Sequence, residues 1–286
     1  MAALTEEGTG KFVKIKEGDL DMQLHYQEAG SGEVVIMLHG TGPGAGGWSN
    51  WYRNFEPFVE AGYRVILLDC PGFNKSDPLV TAKPRNLINA WAVKGLMDAL
   101  GIEKAHLVGN SLGGASALMF ALEYPDRLDK MVLMGAGGGG FSLFTPQPQE
   151  GVRSMFDVLR NPGDEQLFRK WLANAFIYDS SKLTEELILG RFASMQKNLH
   201  HCENFMKSVE LNPKRLADLS PRFGDVKAET LIVWGRDDRA LSFDLGLKML
   251  WGIPKADMVI FGQCGHWAQW EHAEKFNRIA LEFLAR

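Results

Sequence analysis

The sequence has little cysteine, no excess of positive charge and no long apolar run. Its three cysteines, Cys70, Cys202 and Cys264, show no C-x-x-C spacing, which argues against a disulfide framework or a zinc site and predicts free thiols. Acidic residues outnumber basic ones and give a net charge of -4, so the overall charge does not favour nucleic acid or an anionic membrane as a partner. We expect neither a metal nor a nucleic-acid partner.

The first sixteen residues lack the apolar segment of a signal peptide, and apolar runs such as Val34–Leu38 are too short to cross a bilayer. We therefore expect a cytoplasmic protein with no membrane partner. The chain has 286 residues, of which 45% are hydrophobic, enough for one large core and an inserted subdomain.

Short apolar runs alternate with helical patterns along most of the chain, which predicts a mostly parallel sheet covered by helices on both faces. The predicted strands are Val34–Leu38, Val65–Leu68, His106–Val108, Lys130–Leu133, Leu231–Val233 and Met258–Ile260. The predicted helices are Leu87–Leu100, Leu112–Glu123 and Ala273–Leu284. Between about residues 141 and 221 the pattern is helical without strands. We therefore expect a helical lid at 141–221, inserted into a core domain made of residues 1–140 and 222–286.

Ser111 lies in the G-x-S-x-G pattern of the segment GNSLG, between a predicted strand and a predicted helix. Small residues on both sides permit a tight turn that holds the serine at the end of the strand, as a nucleophile requires. A serine between glycines is also common in ordinary turns. The strand before it and the helix after it favour the nucleophile.

A serine nucleophile needs a base and a group that orients this base. His266 follows the last predicted strand, and Asp237 and Asp238 follow the strand before it. The carboxyl ends of parallel strands gather ligand-binding and catalytic groups at one edge of the sheet. Neighbouring side chains diverge, so at most one aspartate faces the histidine, and the spacing leaves the choice open. The order serine, acid, histidine is that of α/β-hydrolases.

Donors for a developing oxyanion are expected from two backbone N–H groups. One is that of Leu112, directly after the serine. The other is that of Thr41, in the glycine-rich loop at residues 39–44 that follows an early strand. No Gly-Lys-Ser or Gly-Lys-Thr follows this loop, which disfavours a phosphate-binding loop.

Five segments together resemble the meta-cleavage product hydrolases, α/β-hydrolase-fold enzymes of bacterial aromatic catabolism. They are HGTGPGAGGW, GNSLGG, VLMGAGGGG, WGRDDR and CGHWAQWEH, and the likeness extends from about Phe12 to Leu284. The resemblance implies hydrolysis of a carbon–carbon bond in a small-molecule 2-hydroxy-6-oxo-6-aryl-hexa-2,4-dienoate. The products are 2-hydroxypenta-2,4-dienoate and an aromatic carboxylic acid, and no cofactor is needed. It also implies a homo-oligomer, which we expect to be a tetramer.

The resemblance further implies the roles of individual residues. The catalytic serine, histidine and acid fall on Ser111, His266 and Asp238, and the oxyanion donors on Thr41 and Leu112. An arginine of the lid that binds the substrate carboxylate falls on Arg191, although without the family a surface salt bridge would be the more ordinary role for it. Further substrate-binding candidates are Gly42, Asn50, Asn110 and Trp267, with Phe144, Phe156 and Phe176 in the distal pocket.

Alternative functions remain open on the sequence. The same triad serves a carboxylesterase, and related hydrolases cleave ring-fission products with an alkyl or carboxyethyl substituent. Ala115 is small and apolar where the phenylpropionate-type relative tends to carry histidine, which favours an aryl substituent. A non-catalytic ligand receptor of the same fold is a further alternative.

Overall fold

The computed structural model describes residues 4–146 and 148–286 and contains an eight-stranded sheet with the order β1-β2-β4-β3-β5-β6-β7-β8. The strands are β1 (Gly10–Glu17), β2 (Leu20–Ala29), β3 (Val34–Leu38), β4 (Arg64–Leu68), β5 (Ala105–Asn110), β6 (Leu128–Met134), β7 (Glu229–Gly235) and β8 (Ala256–Phe261). β1 and β2 pair antiparallel, and β2 pairs antiparallel with β4. All other neighbours are parallel. The predicted mostly parallel sheet is confirmed.

The described residues also form eleven α-helices. They are α1 (Glu6–Thr9), α2 (Gly47–Glu60), α3 (Arg85–Ala99), α4 (Leu112–Glu123), α5 (Glu150–Arg160), α6 (Glu165–Ala175), α7 (Glu185–Lys197), α8 (Leu199–Leu211), α9 (Asp244–Gly252), α10 (Ala268–Glu271) and α11 (Ala273–Leu284). Buried side chains of α3, α4 and α9 pack on one face of the sheet, and those of α2 and α11 pack on the other.

The continuous apolar character of the central strands follows from this double covering. In β3, Ile36 and Leu38 belong to the core beneath α3 and α4, whereas Val35 and Met37 belong to the core beneath α2 and α11. Successive side chains of a strand point to opposite faces, so a strand buried on both faces must be apolar at every position.

The connection between β6 and β7 carries α5, α6, α7 and α8, which we call the helical insert (residues 150–211). Its apolar side chains form a separate cluster that also includes Trp267 and Trp270, which follow β8 in the sequence. The helical insert therefore packs against the segment that follows β8. Within the described part of the chain, no helix is long and apolar enough to cross a membrane.

Candidate active site

Ser111 occupies the turn between β5 and α4 with φ 55° and ψ -112°. A positive φ is strained for any residue other than glycine and persists only where the surroundings enforce it. Ser111 N–H donates to the Met134 carbonyl at 2.9 Å. A side chain at Gly113 would lie 2.1 Å from the Leu38 carbonyl oxygen. The turn is thus packed between the ends of β3 and β6. This packing holds the serine in the strained conformation of a nucleophile elbow.

His266 and Asp238 form a buried pair at the ends of β8 and β7. The distance between His266 Nδ1 and Asp238 Oδ2 is 2.7 Å, and each side chain is 1% exposed. The N–H groups of Ala240 and Leu241 donate to Asp238 Oδ1, both at 2.8 Å. Asp237 instead pairs with Arg236. Asp238 is therefore the aspartate that contacts the histidine. Because Asp238 binds Nδ1, the other ring nitrogen, Nε2, is the one that can accept a proton from the serine.

Gly135 lies between this pair and the serine. The sequence analysis did not identify Gly135 as part of the site. It follows Met134, whose carbonyl accepts from Ser111, and its φ is +51°. A Cβ at Gly135 would lie 3.0 Å from His266 Nδ1 and 3.4 Å from Asp238 Oδ2. Ser111 and the His266–Asp238 pair therefore lie on either side of the end of β6. The available signal was a glycine two residues after the predicted strand Lys130–Leu133.

The glycine-rich loop at residues 39–44 contacts the serine. A Cβ at Gly40 would lie 3.1 Å from Ser111 Cβ. His39 positions this loop, because its Nδ1 lies 2.7 Å from the Gly40 carbonyl and its Nε2 accepts from Cys70 N–H at 3.0 Å. Burial lowers the pKa of His39, and the neutral ring with its proton on Nδ1 satisfies both contacts. The loop therefore brings Thr41 to the same edge of the sheet as Ser111 and Leu112.

Arg191, on α7, is 2% exposed and has no carboxylate within salt-bridge distance in residues 4–146 and 148–286. Its Nη2 donates to the Pro43 carbonyl at 3.2 Å, and its guanidinium lies 4.9 Å from the ring centroid of Trp267. Burial lowers the pKa of Arg191 to about 9. A buried cation without an anion is costly, and a ligand carboxylate would compensate it.

Other buried polar atoms near Arg191 and Ser111 also lack a hydrogen-bond partner within the described residues. They are Arg191 Nε, Asn50 Nδ2, Thr41 Oγ1 and Asn110 Oδ1. Asn110 directly precedes the serine, and Asn50 Oδ1 accepts from Gly40 N–H at 3.4 Å. A Cβ at Gly42 would lie 3.8 Å from Arg191 Nη2. Buried polar atoms are normally satisfied, so this group of unpaired donors and acceptors suits a polar ligand.

The three phenylalanines predicted for a distal pocket lie in different surroundings. Phe176 stacks on Trp267 at 4.5 Å and on His266 at 5.7 Å between ring centroids. Phe144 is 63% exposed and packs on Phe243. Phe156 lies against Phe205 within the helical insert. The structure thus brings Phe176 into contact with the histidine. The aromatic partners of Phe144 and Phe156 are Phe243 and Phe205 instead.

No cluster of three or more His, Cys, Asp or Glu side chains suited to a metal ion occurs among the residues that the structure describes. The chemistry available at this edge of the sheet is that of a serine hydroxyl, an imidazole oriented by a carboxylate, backbone N–H donors and a guanidinium without a carboxylate partner among the described residues.

The chain is similar to known proteins in sequence and in fold. The family model for the alpha/beta hydrolase fold matches residues 33–273. The chain is 58% identical to a 2-hydroxy-6-oxo-6-phenylhexa-2,4-dienoate hydrolase of Comamonas testosteroni, over 99% of each chain. It is 55% identical to a 2-hydroxy-6-oxononadienedioate/2-hydroxy-6-oxononatrienedioate hydrolase of Dechloromonas aromatica, over 98% of this chain and 97% of the relative. A solved meta-cleavage product hydrolase from Pseudomonas fluorescens is similar with a TM-score of 0.79 and 33% identity, over 92% of this chain and 94% of that one.

Proposed function

Since the chain belongs to the α/β-hydrolase family and, within it, to the meta-cleavage product hydrolases, we propose that it hydrolyses a carbon–carbon bond in a 2-hydroxy-6-oxo-6-aryl-hexa-2,4-dienoate. The observation that carries this proposal is Arg191, a buried guanidinium without a carboxylate partner in the described structure. It lies at the same edge of the sheet as Ser111 and the His266–Asp238 pair. An esterase for neutral esters has no need of such a cation, whereas a dienoate brings the matching carboxylate.

The proposed reaction begins with ketonisation of the dienolate, in which a proton is delivered to the carbon beside the bond that will break. His266 then takes the proton of the Ser111 hydroxyl, whose oxygen attacks the side-chain ketone. The N–H groups of Thr41 and Leu112 donate to the resulting oxyanion. Collapse of this intermediate breaks the carbon–carbon bond and releases the dienoate fragment as an enolate, which takes up a proton. Water then attacks the acyl group on Ser111, with His266 as its base, and releases the carboxylic acid.

Arg191 holds the carboxylate end of the substrate in this proposal, with Trp267 against the guanidinium and with Asn50, Asn110 and the backbone at Gly42 beside it. Two observations support this role. Arg191, Asn50 and Asn110 have buried polar atoms without a hydrogen-bond partner among the described residues, and the Arg191 guanidinium lies 4.9 Å from the centroid of the Trp267 ring. Fixing the carboxylate fixes the distance between the ketone and Ser111, which is how positioning contributes to rate.

Replacement of Arg191 with glutamine is expected to raise KM for the dienolate by roughly 100-fold, because loss of one partner of a buried charge pair costs about 3 kcal/mol. Steady-state kinetics on the purified variant measure this. Arg169→Gln is the matched control, since Arg169 pairs with Glu165 and Glu185 at the surface of the same helical insert, and its KM is expected to be unchanged. An equal rise in both variants would contradict the role of Arg191.

The substituent on the ketone is proposed to be aryl. Ala115 is fully buried, and its Cβ lies 3.6 Å from the position of a Cβ at Gly137. Leu216 Cδ1 lies 3.1 Å from the same position, and Leu219 Cδ1 lies 3.5 Å from the position of a Cβ at Gly138. These apolar side chains close to the serine favour a phenyl group and give a second carboxylate no partner.

Three dienolates that differ only in their 6-substituent test the proposal. We expect kcat/KM to be highest for the phenyl compound and at least about tenfold lower for the carboxyethyl and methyl compounds, since burial of a ring contributes more than that of a methyl group. A preference for the carboxyethyl compound would overturn the aryl substituent and leave the reaction intact. Hydrolysis of aryl esters with no consumption of any dienolate would indicate a carboxylesterase, and binding without any turnover would indicate a receptor.

Further proposals rest on the resemblance. Residues 141–221 are proposed to act as a lid over a core of residues 1–140 and 222–286, and the stacking of Phe176 on His266 supports this. We also propose that the protein forms a homotetramer in the cytoplasm and needs neither a cofactor nor a metal.

A further inference from the structure

The peptide groups on both sides of His266 are hydrogen-bonded to groups outside the histidine loop. This loop comprises residues 262–267, between β8 and α10. On one side, Gly265 N–H donates to Glu271 Oε1 at 2.6 Å. On the other, Trp267 N–H donates to the Phe176 carbonyl at 3.0 Å. Because the backbone is fixed before and after His266, the direction in which its side chain leaves the chain is fixed as well.

The second oxygen of Glu271 binds the helical insert. Tyr178 N–H, just beyond the end of α6, donates to Glu271 Oε2 at 2.8 Å. The two bound segments are in close contact, since a Cβ at Gly265 would lie 2.7 Å from the Phe176 carbonyl oxygen. A single carboxylate therefore joins the histidine loop to the stretch 176–178 of the helical insert.

This bridge uses both oxygens of the ionised carboxylate as acceptors, whereas protonation would place an O–H donor on one of them, opposite an N–H group. Glu271 is half-buried, and burial raises its pKa. The N–H groups of Tyr178, Gly265 and Asp179 act in the opposite direction, as does His272. The other charged or titratable groups around the loop are Cys264, Asp237, Asp238 and Lys275. The stabilisation of the charge thus comes chiefly from the backbone donors that the bridge connects.

We propose that Glu271 is a positioning residue, which couples the docked position of residues 176–178 to the orientation of the His266 imidazole. The ring of Phe176 stacks on both His266 and Trp267, and Trp267 lies against Arg191. Movement of the helical insert away from the core would therefore disturb the base and the carboxylate site together. The inference rests on the proposed function only in requiring His266 to act as the base.

Glu271→Gln tests the coupling, because the amide keeps the size of the side chain and replaces one acceptor oxygen by an NH2 donor that faces an N–H group. We expect kcat to fall about 30-fold, as small displacements of a catalytic group cost up to about 100-fold. KM and the melting temperature are expected to change little. Glu274→Gln is the control, since Glu274 is exposed on α11 and the variant has the same change in charge.

A double-mutant cycle separates positioning from a general structural effect. If Glu271 acts through His266, Glu271→Gln causes no further loss of kcat in a His266→Ala background. The same fold loss in both backgrounds, a wild-type kcat in Glu271→Gln, or a loss matched by Glu274→Gln would each overturn the proposal. If Glu271→Gln does not fold, Glu271→Asp replaces it: the shorter carboxylate cannot span both donors and is expected to give the same loss, absent in the His266→Ala background.

The cycle is measured on the phenyl dienolate and on 4-nitrophenyl acetate. If the wild type hydrolyses the ester alone, the proposed function fails while the coupling is still tested on the ester, which needs the same serine and histidine. If the wild type cleaves the dienolate and Glu271→Gln is unaffected, the coupling fails and the proposed function holds.

Discussion

Ser111→Ala leaves the yellow colour of the phenyl dienolate almost unchanged, with an expected loss in kcat of at least about 10,000-fold. Alanine removes the oxygen that attacks the ketone and leaves the turn between β5 and α4 in place. The strained φ of Ser111 is enforced by Met134 and by the close approach of Gly113 to Leu38, so the fold of the variant is expected to persist. Absorbance decay under single-turnover conditions measures the loss.

Binding separates this variant from a misfolded one. Its dissociation constant for the dienolate, from the spectral shift on mixing, is expected to stay close to the wild-type KM because Arg191 is untouched. Ser154→Ala is the control, because within the described residues the Ser154 hydroxyl donates to the backbone of its own helix, α5, and to no other group. A Ser111→Ala variant that retains more than about a tenth of wild-type kcat would exclude a serine nucleophile.

Asp238→Asn is expected to lower kcat by about 10,000-fold, an effect of the size found when the triad acid is made neutral and the histidine adopts the wrong tautomer. Asparagine can still accept from Ala240 and Leu241 through its carbonyl oxygen. Its NH2 group then faces His266 Nδ1, which must become an acceptor and place the ring proton on Nε2. In that tautomer Nε2 cannot accept the proton of Ser111.

Asp237→Asn is the matched control for this prediction, because the two aspartates are adjacent and only Asp238 contacts the imidazole. Asp237 pairs with the exposed guanidinium of Arg236, and such pairs contribute little, so kcat is expected to change less than about threefold. A larger loss in Asp237→Asn than in Asp238→Asn would show that the acid has been assigned to the wrong residue.

The central strands and three helices could be predicted from the sequence because their signals are local. All six predicted strands are present, and the helices predicted at Leu112–Glu123 and Ala273–Leu284 have those bounds. Apolar runs between turn residues suffice where both faces of a strand are buried. The hairpin of β1 and β2 was absent from the predicted strands, because that prediction relied on continuous apolar runs. In β1, lysine alternates with apolar residues over part of its length, which is the pattern of a half-buried strand.

Contacts between distant segments limited the prediction of the site. Gly135 lies against His266, His39 contacts Cys70, and Glu271 contacts Tyr178. All three partners are far away in the sequence, and nothing in the local sequence reveals them. Spacing also left Asp237 and Asp238 equivalent, and the family resemblance selected Asp238, the one that contacts His266. Phe144 and Phe156 remain predictions for the distal pocket, because an aromatic residue in a helical region does not reveal which face of its helix meets the substrate.

Product analysis on the wild-type enzyme tests the central claim most directly. The phenyl dienolate, prepared by ring fission of 2,3-dihydroxybiphenyl, is incubated with the enzyme and with Ser111→Ala, and the products are separated and quantified. We predict that loss of colour with the wild type is matched by equal amounts of benzoate and 2-hydroxypenta-2,4-dienoate, and that the variant forms neither. Persistence of the dienolate in the presence of a wild-type enzyme that hydrolyses aryl esters would contradict carbon–carbon bond cleavage by this chain.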